Sequence, residues 1–220
     1  MNADNQPIKI QIEDWVFRLK TPSSQTGEPR ILLLLHGHLG NENVMWVLTK
    51  PLPQGYFLLA PRAPVKMGEN QYSWHEIQPQ WPEISFYQKL TDSLLSRADS
   101  WVNKHAPGVS RYDVMGFSQG AVMAYALAIL HPKKVERIAA IASFIPQHWK
   151  SDLDAETLKN KSFFIAHGTK DDIIPLKKAR QAAQWLEDKG ADVIFCTADT
   201  GHKISANCFN GLGEFFQRDY

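Results

Sequence analysis

Residues 114–123 read VMGFSQGAVM and place Ser118 between two glycines, after one apolar run and before a longer, alanine-rich one. A serine hydroxyl becomes an effective nucleophile when a neighbouring base takes its proton. Glycines at 116 and 120 permit the close backbone contacts of a sharp turn from strand to helix, which exposes the serine oxygen above a sheet. An ordinary glycine-rich turn is the alternative, so the prediction depends on partners elsewhere in the chain.

A serine nucleophile needs a base, and four histidines follow Ser118 in the sequence. His131 ends the helix predicted after Ser118, His148 lies in a polar loop, and His167 ends an apolar strand as a candidate hydrogen-bonded turn residue. His202, in TADTGHKIS, follows the last predicted strand, where the base lies when a triad has the chain order serine, acid, histidine. We therefore predict that His202 is the base; an exposed loop histidine is the alternative.

The acid of such a triad is expected between Ser118 and His202, at the end of a strand. The segment AHGTKDDIIP offers Asp171 and Asp172. A buried carboxylate there would hold the imidazole in one tautomer and stabilise its charged form. Either aspartate could instead cap the helix predicted to begin near Leu176. Spacing alone does not distinguish the two.

The segment LLLLHGHLG suggests the binding site for the negative charge that develops on the substrate oxygen. It places His36, Gly37 and His38 directly after a buried strand. We predict that the backbone N–H groups of His38 and Gln119 stabilise this oxyanion. The ring of His36 is expected to tie the loop down. A metal site at His36 and His38 is not favoured, because no third ligand of suitable spacing is nearby.

The elements that must position these residues alternate between apolar strands and amphipathic helices, which predicts a doubly wound, mainly parallel α/β sheet. Ligands bind such sheets at the carboxyl ends of the strands, where all three notable segments lie. A long polar segment, residues 66–83, is predicted to be a loop that covers the site. Strands are predicted over residues 8–20, 30–36, 56–63, 111–117, 137–143, 161–168 and 191–198, and helices over 84–103, 119–130, 176–189 and 204–217.

Composition limits the possible classes of protein. The 220 residues, 44% of them hydrophobic, suit a single folded domain over residues 1–220. A formal net charge of +1 gives no electrostatic footprint for nucleic acid. No apolar run is long enough for stable membrane insertion, and the first residues do not resemble a targeting signal. Two cysteines, Cys196 and Cys208, favour reduced thiols and a cytoplasmic location.

Taken together, LLLLHGHLGNEN, GFSQGAVMAYALA, HGTKDDIIP and GHKIS resemble the phospholipase/carboxylesterase family of serine hydrolases, which includes the acyl-protein thioesterases. The resemblance extends from about Ile31 to Phe216. It implies an α/β-hydrolase fold with a mostly parallel central sheet, flanking helices and a minimal cap. It also implies that Asp171, not Asp172, is the acid.

The resemblance extends to the substrate-binding residues. The segment PRAPV…YSW is similar to the family segment with a tryptophan near the acyl pocket, here Trp74; a residue pinned to the core is the alternative. Leu39 and Ser143 stand where many relatives have glycine, and Ser143 precedes Phe144 at the border of the cleft. Leu39, Trp74 and Phe144 are therefore the predicted substrate-binding residues.

The predicted function is that of a serine carboxylesterase, which hydrolyses short to medium acyl esters through an acyl-enzyme and needs no metal or organic cofactor. The partner is a small-molecule ester or thioester, and the chain is expected to be a monomer or a homodimer. Acyl-protein thioesterase or lysophospholipase activity is one alternative, and a lactone hydrolase or small peptidase is another. A non-catalytic binding protein of the same fold is the alternative from a different class.

Overall fold

An eight-stranded sheet forms the centre of the structure, a computed structural model that describes residues 6–23, 29–150 and 158–218. The strand order is β1-β2-β4-β3-β7-β8-β9-β10, and β5 and β6 form a separate hairpin. The strands are β1 Ile8–Ile12, β2 Trp15–Lys20, β3 Arg30–Leu35, β4 Tyr56–Pro61, β5 Val65–Gly68, β6 Gln71–Ser73, β7 Tyr112–Phe117, β8 Val135–Ile141, β9 Ser162–Gly168 and β10 Asp192–Ala198.

The sheet is parallel from β4 to β10, and only β1 and β2 run antiparallel to their neighbours. This agrees with the α/β fold expected from the alternation of apolar and amphipathic segments. It also brings the carboxyl ends of β3, β7, β9 and β10 to one edge of the sheet, as the functional motifs require.

Helices cover both faces of the sheet. The four α-helices of the described residues are α1 Ile84–His105, α2 Gln119–Leu130, α3 Leu176–Asp188 and α4 Ala206–Gln217. The first three pack in one core cluster, and α4 packs in a second together with a 3-10 helix at Val44–Leu48. Leu33 and Leu35 of β3 face the first cluster, whereas Leu32 and Leu34 face the second. Burial on both faces explains why this strand is continuously apolar.

Two elements of the structure differ from those that the sequence predicts. Residues 8–20 form a hairpin of two strands rather than one strand, because Glu13 turns the chain with a φ of 52°. The segment 66–83, predicted as a loop, includes most of the β5–β6 hairpin, and a bridge between Gly40 and Tyr72 attaches this hairpin to the loop after β3.

The two cysteines form a disulfide, so the prediction of reduced thiols was wrong. Helix α4 packs against β10 and brings the Cα atoms of Cys196 and Cys208 to 5.8 Å, a distance that a disulfide spans. Counting cysteines could not reveal this pairing, because it depends on how a helix packs on a strand. Among the described residues, no helix has both the length and the apolar character that crossing a membrane requires.

Candidate active site

Ser118 lies in the turn between β7 and α2, at the centre of the sheet. Its backbone has a φ of 52°, and its N–H donates to the carbonyl of Ile141 at 2.8 Å. A Cβ atom at Gly116 would lie 2.3 Å from the carbonyl oxygen of Gly120, and one at Gly120 would lie 2.2 Å from that of Leu35. Both glycines are therefore required by close backbone contacts, and the turn holds a non-glycine residue in a strained conformation at its apex.

His202 lies within hydrogen-bond distance of both predicted triad partners. Its Nε2 is 3.0 Å from Oγ of Ser118, and its Nδ1 is 2.8 Å from Oδ2 of Asp171. Because a carboxylate accepts, the Nδ1 atom carries the hydrogen and Nε2 is free to accept a proton from the serine. The structure thus brings these three residues, which are distant in sequence, into one hydrogen-bonded row.

The two candidate acids occupy different environments. Asp171 is buried and its Oδ1 accepts the N–H groups of Ile173 at 3.0 Å and Ile174 at 2.9 Å, whereas Asp172 is exposed. Burial opposes ionisation of the Asp171 carboxyl, but the Ile174 amide and His202 outweigh it, so the pKa of Asp171 lies below its ordinary value. Asp171 is therefore placed as a carboxylate that faces His202.

The loops that hold the acid and the base touch through their backbones. The N–H of Lys170 donates to the carbonyl of Thr200 at 3.0 Å. A Cβ atom at Gly168 would lie 2.2 Å from the carbonyl oxygens of both Thr200 and Gly201. The absence of a side chain at Gly168 is thus what lets the two loops approach, a contact that the sequence analysis missed.

His167 lies near the end of β9 rather than in a turn, and its ring is hydrogen-bonded as predicted. Its buried ring lies with Nε2 at 2.8 Å from the carbonyl of Ile174 and at 3.4 Å from Oδ2 of Asp171. Because a carbonyl only accepts, Nε2 carries the hydrogen. The contact with Asp171 was not foreseen, although the four-residue spacing within one strand-end turn was a signal for it.

The predicted oxyanion donors, the backbone amides of Gln119 and His38, belong to two different segments of the fold. Gln119 is the first residue of α2, so its N–H has no acceptor within the helix. His38 follows β3 and lies inside a tight turn, in which the N–H of Gly40 donates to the carbonyl of Gly37. Within the described ranges, neither amide donates to another backbone carbonyl outside the regular elements.

The ring of His36 ties down this loop, which confirms the structural role predicted for it. Nδ1 donates to the carbonyl of Gly37 at 2.7 Å, and Nε2 accepts the N–H of Ala63 at 3.0 Å. Burial lowers the pKa of His36 to about 4, so the ring is neutral at physiological pH. The ring of His38 contacts Oγ of Ser73, and partial burial lowers its pKa as well.

The side chains of Gln119 and Trp74 join the segment 66–83 to the site. Gln119 accepts the N–H of Trp74 at 2.9 Å and donates to the carbonyl of His75 at 3.0 Å. The indole N–H of Trp74 donates to the carbonyl of His36 at 2.7 Å. Trp74 is fully buried, so it supports the loop after β3 and is not exposed to solvent. This position matches the alternative of a residue pinned to the core.

The two other predicted substrate-binding residues differ in exposure. Leu39 is 42% exposed and has a φ of 60°, whereas Phe144 is buried beneath an edge-to-face contact with Trp81 and a cation–π contact with Lys178. Ser143, the residue before Phe144, donates its hydroxyl to the carbonyl of Ser118 at 3.0 Å. The serine at this position therefore braces the turn that holds Ser118, a role that the sequence analysis did not assign.

The remaining histidines lie outside this row. His131 caps the end of α2, as predicted, and its Nε2 is 2.8 Å from Oγ1 of Thr91. His148 lies in a 3-10 helix at Gln147–Lys150, and its Nε2 is 3.3 Å from the carbonyl of Pro82. Within the part of the chain that is described, no group of three or more His, Cys, Asp or Glu side chains could hold a metal ion.

Comparisons with known proteins show which sequences and structures this chain resembles. The model of the phospholipase/carboxylesterase family matches residues 19–218. The structure is similar to that of a carboxylesterase from Bacillus cereus, with a TM-score of 0.79 and 20% identity over 93% of this chain and 94% of that one. This likeness shows the fold, an α/β hydrolase with a mostly parallel sheet.

Two relatives in sequence have contrasting names. The chain is 25% identical over 221 residues to a protein of Oryza sativa subsp. japonica named as a probable inactive carboxylesterase, over 92% of this chain and 86% of that protein. It is 24% identical over 196 residues to acyl-protein thioesterase 1 of Emericella nidulans, over 74% of this chain and 79% of that protein.

Proposed function

The chain belongs to the phospholipase/carboxylesterase family, and from this membership we propose that it is a serine carboxylesterase acting on short to medium acyl esters. The observation that supports the proposal most directly is the row formed by Ser118, His202 and Asp171, with contacts of 3.0 and 2.8 Å. These distances are within the range that proton transfer between a nucleophile and its base requires.

The first half of the proposed reaction forms an acyl-enzyme. Oγ of Ser118 attacks the acyl carbonyl carbon while Nε2 of His202 takes the hydroxyl proton, and the carboxylate of Asp171 stabilises the resulting imidazolium. The amides of His38 and Gln119 donate to the oxyanion. His202 then gives its proton to the leaving alcohol or thiol, and the carbon–oxygen or carbon–sulfur bond breaks.

The second half clears the acyl group. His202 takes a proton from water, the resulting hydroxide attacks the acyl carbonyl, and the same two amides stabilise the second oxyanion. The proton returns to Oγ of Ser118 as the carboxylic acid leaves. Each step uses groups of this chain and one water molecule, so atoms and protons balance without a further reactant.

We propose that Leu39 contacts the substrate directly, since its side chain is exposed in the loop that presents the His38 amide. Trp74 and Phe144 are buried and would shape the pocket from behind. In this arrangement Leu39, which replaces the glycine common in relatives, narrows the site and favours shorter acyl groups.

A thioester or lysophospholipid substrate is the second candidate. It is favoured by the relative named as an acyl-protein thioesterase. Because the chemistry is shared, only the leaving group and the acyl length separate this candidate from a carboxylesterase. Matched oxygen esters and thioesters of the same acyl chain would distinguish them by their kcat/KM values.

A non-catalytic binding protein is the third candidate, because one relative is named as probably inactive. The intact hydrogen-bonded row argues for catalysis. A fluorophosphonate probe distinguishes the two, since it reacts with an activated serine. Failure to label Ser118 would favour the binding protein.

The first experiment is the hydrolysis of p-nitrophenyl esters of increasing acyl length by the native chain and by Ser118→Ala. We expect turnover to fall by about a million-fold in the variant. Ser110→Ala, at an exposed serine far from the row, is the matched control and should keep native activity. Equal activity of Ser118→Ala and the native chain would refute the mechanism.

Three statements about the chain stay predictions: its cellular location, its single domain over residues 1–220 and its monomeric or dimeric state. The disulfide removes the argument from reduced cysteines for a cytoplasmic location. Cell fractionation with alkylation of free thiols before lysis would report the location and the state of both cysteines together.

A further inference from the structure

The disulfide between Cys196 and Cys208 closes the segment that contains His202. Cys196 lies in β10 and Cys208 in the first turn of α4, 12 residues apart. The histidine loop, residues 199–205, lies entirely within the covalent ring. The bond therefore joins β10 and α4, the two elements that the loop with the candidate base His202 connects.

Noncovalent contacts hold the beginning of the histidine loop to the turn that precedes Asp171. The N–H of Thr169 donates to the carbonyl of Ala198 at 2.8 Å, and the N–H of Lys170 donates to that of Thr200 at 3.0 Å. A surface ion pair joins Lys170 and Asp199 at 2.9 Å, but exposed pairs of this kind contribute little.

The end of the histidine loop has mainly local hydrogen bonds. The N–H of Lys203 donates to the carbonyl of Gly201 at 2.8 Å, and the side chain of Ser205 accepts the N–H of Cys208 at 3.2 Å. Ile204 is only partly buried against the second core cluster. The disulfide is the covalent link that fixes this end of the loop to the sheet.

We propose that the Cys196–Cys208 disulfide positions His202 for catalysis and that its reduction lowers the hydrolytic activity. This inference rests on the proposed esterase function. With the bond open, α4 is held to the edge strand by noncovalent contacts only, and His202 moves relative to Ser118. A displacement of about 1 Å in a catalytic group can cost about a hundredfold in rate.

The chemistry of the switch is thiol–disulfide exchange with a dithiol reductant. A reductant thiolate attacks Sγ of Cys196, which is only partly buried, whereas Cys208 is fully buried. The sulfur–sulfur bond breaks, and Sγ of Cys208 leaves as a thiolate and takes a proton. The second reductant thiol displaces Sγ of Cys196, so the protein gains two electrons and two protons and the reductant becomes a disulfide.

The test compares the full chain in oxidised and reduced form. Dithiothreitol opens the bond, glutathione disulfide restores it, and alkylation with intact-mass measurement counts the free thiols in each state. We expect kcat for a p-nitrophenyl ester to fall about tenfold to a hundredfold on reduction, with KM changed less than about twofold, and to return on reoxidation.

The double variant Cys196→Ser, Cys208→Ser is the matched control. It should match the kcat of the reduced chain and should not respond to dithiothreitol. Thermal melting of both states followed by circular dichroism identifies a temperature at which both are folded, and kcat is compared there. A fall in kcat seen only where folded protein is lost would overturn the proposal.

The remaining outcomes separate the two proposals. Equal kcat in both redox states, or cysteines that stay as thiols after glutathione disulfide, would overturn the role of the disulfide and leave the esterase intact. A chain that is inactive and unlabelled by a fluorophosphonate in both states would overturn the esterase itself, and this inference with it.

Discussion

The serine turn, residues 116–120, and the histidine loop, residues 199–205, supply the two reacting side chains but are held in different ways. The serine turn lies between β7 and α2, with parallel strands on both sides of β7. The histidine loop follows β10, the last strand at the edge of the sheet. The serine turn is surrounded by core residues. The histidine loop is attached through its backbone contacts with residues 169 and 170, the contacts of the His202 ring, the partly buried Ile204 and the disulfide.

One contact occurs in both regions and makes the difference testable. A Cβ atom at Gly120 and a Cβ atom at Gly168 would each lie 2.2 Å from a backbone carbonyl oxygen. At Gly120 that oxygen belongs to Leu35, at the end of a strand that is buried from Ile31 onwards. At Gly168 the oxygens belong to Thr200 and Gly201, in the loop at the edge. The same clash should thus unfold the chain when it occurs at the serine turn, but only displace the histidine loop when it occurs there.

The largest effect is expected for Gly120→Ala. Neither Leu35 nor α2 can move without disturbing the core, so the free energy of unfolding should fall by about 4 kcal/mol or more. Urea denaturation of the variant measures this fall. Gly55→Ala is the control, because a Cβ atom there would meet nothing within 4 Å. A well-folded Gly120→Ala protein would show that the serine turn is less rigid than its packing indicates.

Asp171→Asn should have the next largest effect, and it acts on the residue that bridges the two regions. An amide in place of the carboxylate favours the wrong tautomer of His202, so kcat should fall about ten-thousand-fold while the fold is retained. Steady-state kinetics on a p-nitrophenyl ester measures the loss. Asp172→Asn, at the exposed neighbour, is the control and should keep near-native turnover.

The contrast between the regions also explains what the sequence could predict. The serine turn is encoded locally, since GFSQG lies between a strand and a helix, and its position follows from that pattern. Ser118 and His202 were predicted from their order in the chain, and Asp171 was preferred to Asp172 through the family resemblance; the structure brings the three side chains together. Most strand and helix positions could be predicted for the same reason, because continuous apolar runs and 3.6-residue periodicity are local signals.

The features that sequence reasoning missed depend on contacts between distant segments. The disulfide arises from the packing of α4 on β10, and the role of Gly168 arises from the approach of two loops. For Trp74 the sequence left two positions open, near the acyl pocket or in the core, because its burial depends on how the segment 66–83 folds against the loop after β3. No pattern within one segment specifies such contacts.

Because the ring of His36 is buried in the folded chain, it should make the free energy of unfolding depend on pH. Its pKa is lowered from 6.5 to about 4 in the folded chain. Between these values the unfolded chain binds one more proton than the folded one, so the free energy of unfolding falls as pH falls, by about 3 kcal/mol in total. Urea denaturation at a series of pH values measures the slope.

The variant His36→Gln is the control for this pH dependence, because glutamine does not titrate. The difference in the free energy of unfolding between native and variant chains should shrink as pH falls from 6.5 towards 4. A difference that is constant across this range would show that the His36 ring is as easily protonated in the folded chain as in the unfolded one.

Gly168→Ala is expected to have the smallest effect of the four, and it tests the edge region directly. The added Cβ pushes the carbonyls of Thr200 and Gly201 away, which moves His202 relative to Ser118. We expect kcat to fall about a hundredfold, with little change in the urea midpoint, because the loop lies outside the sheet and has room to shift.

The facing residue gives the control for this last substitution. A Cβ atom at Gly201 would lie 3.8 Å from the carbonyl oxygen of Lys170, an ordinary contact, so Gly201→Ala should keep most of the activity. If Gly168→Ala instead unfolded the chain, as Gly120→Ala is expected to do, the histidine loop would be held as rigidly as the serine turn. The disulfide would then have little left to position, because the loop would already be fixed by its backbone contacts.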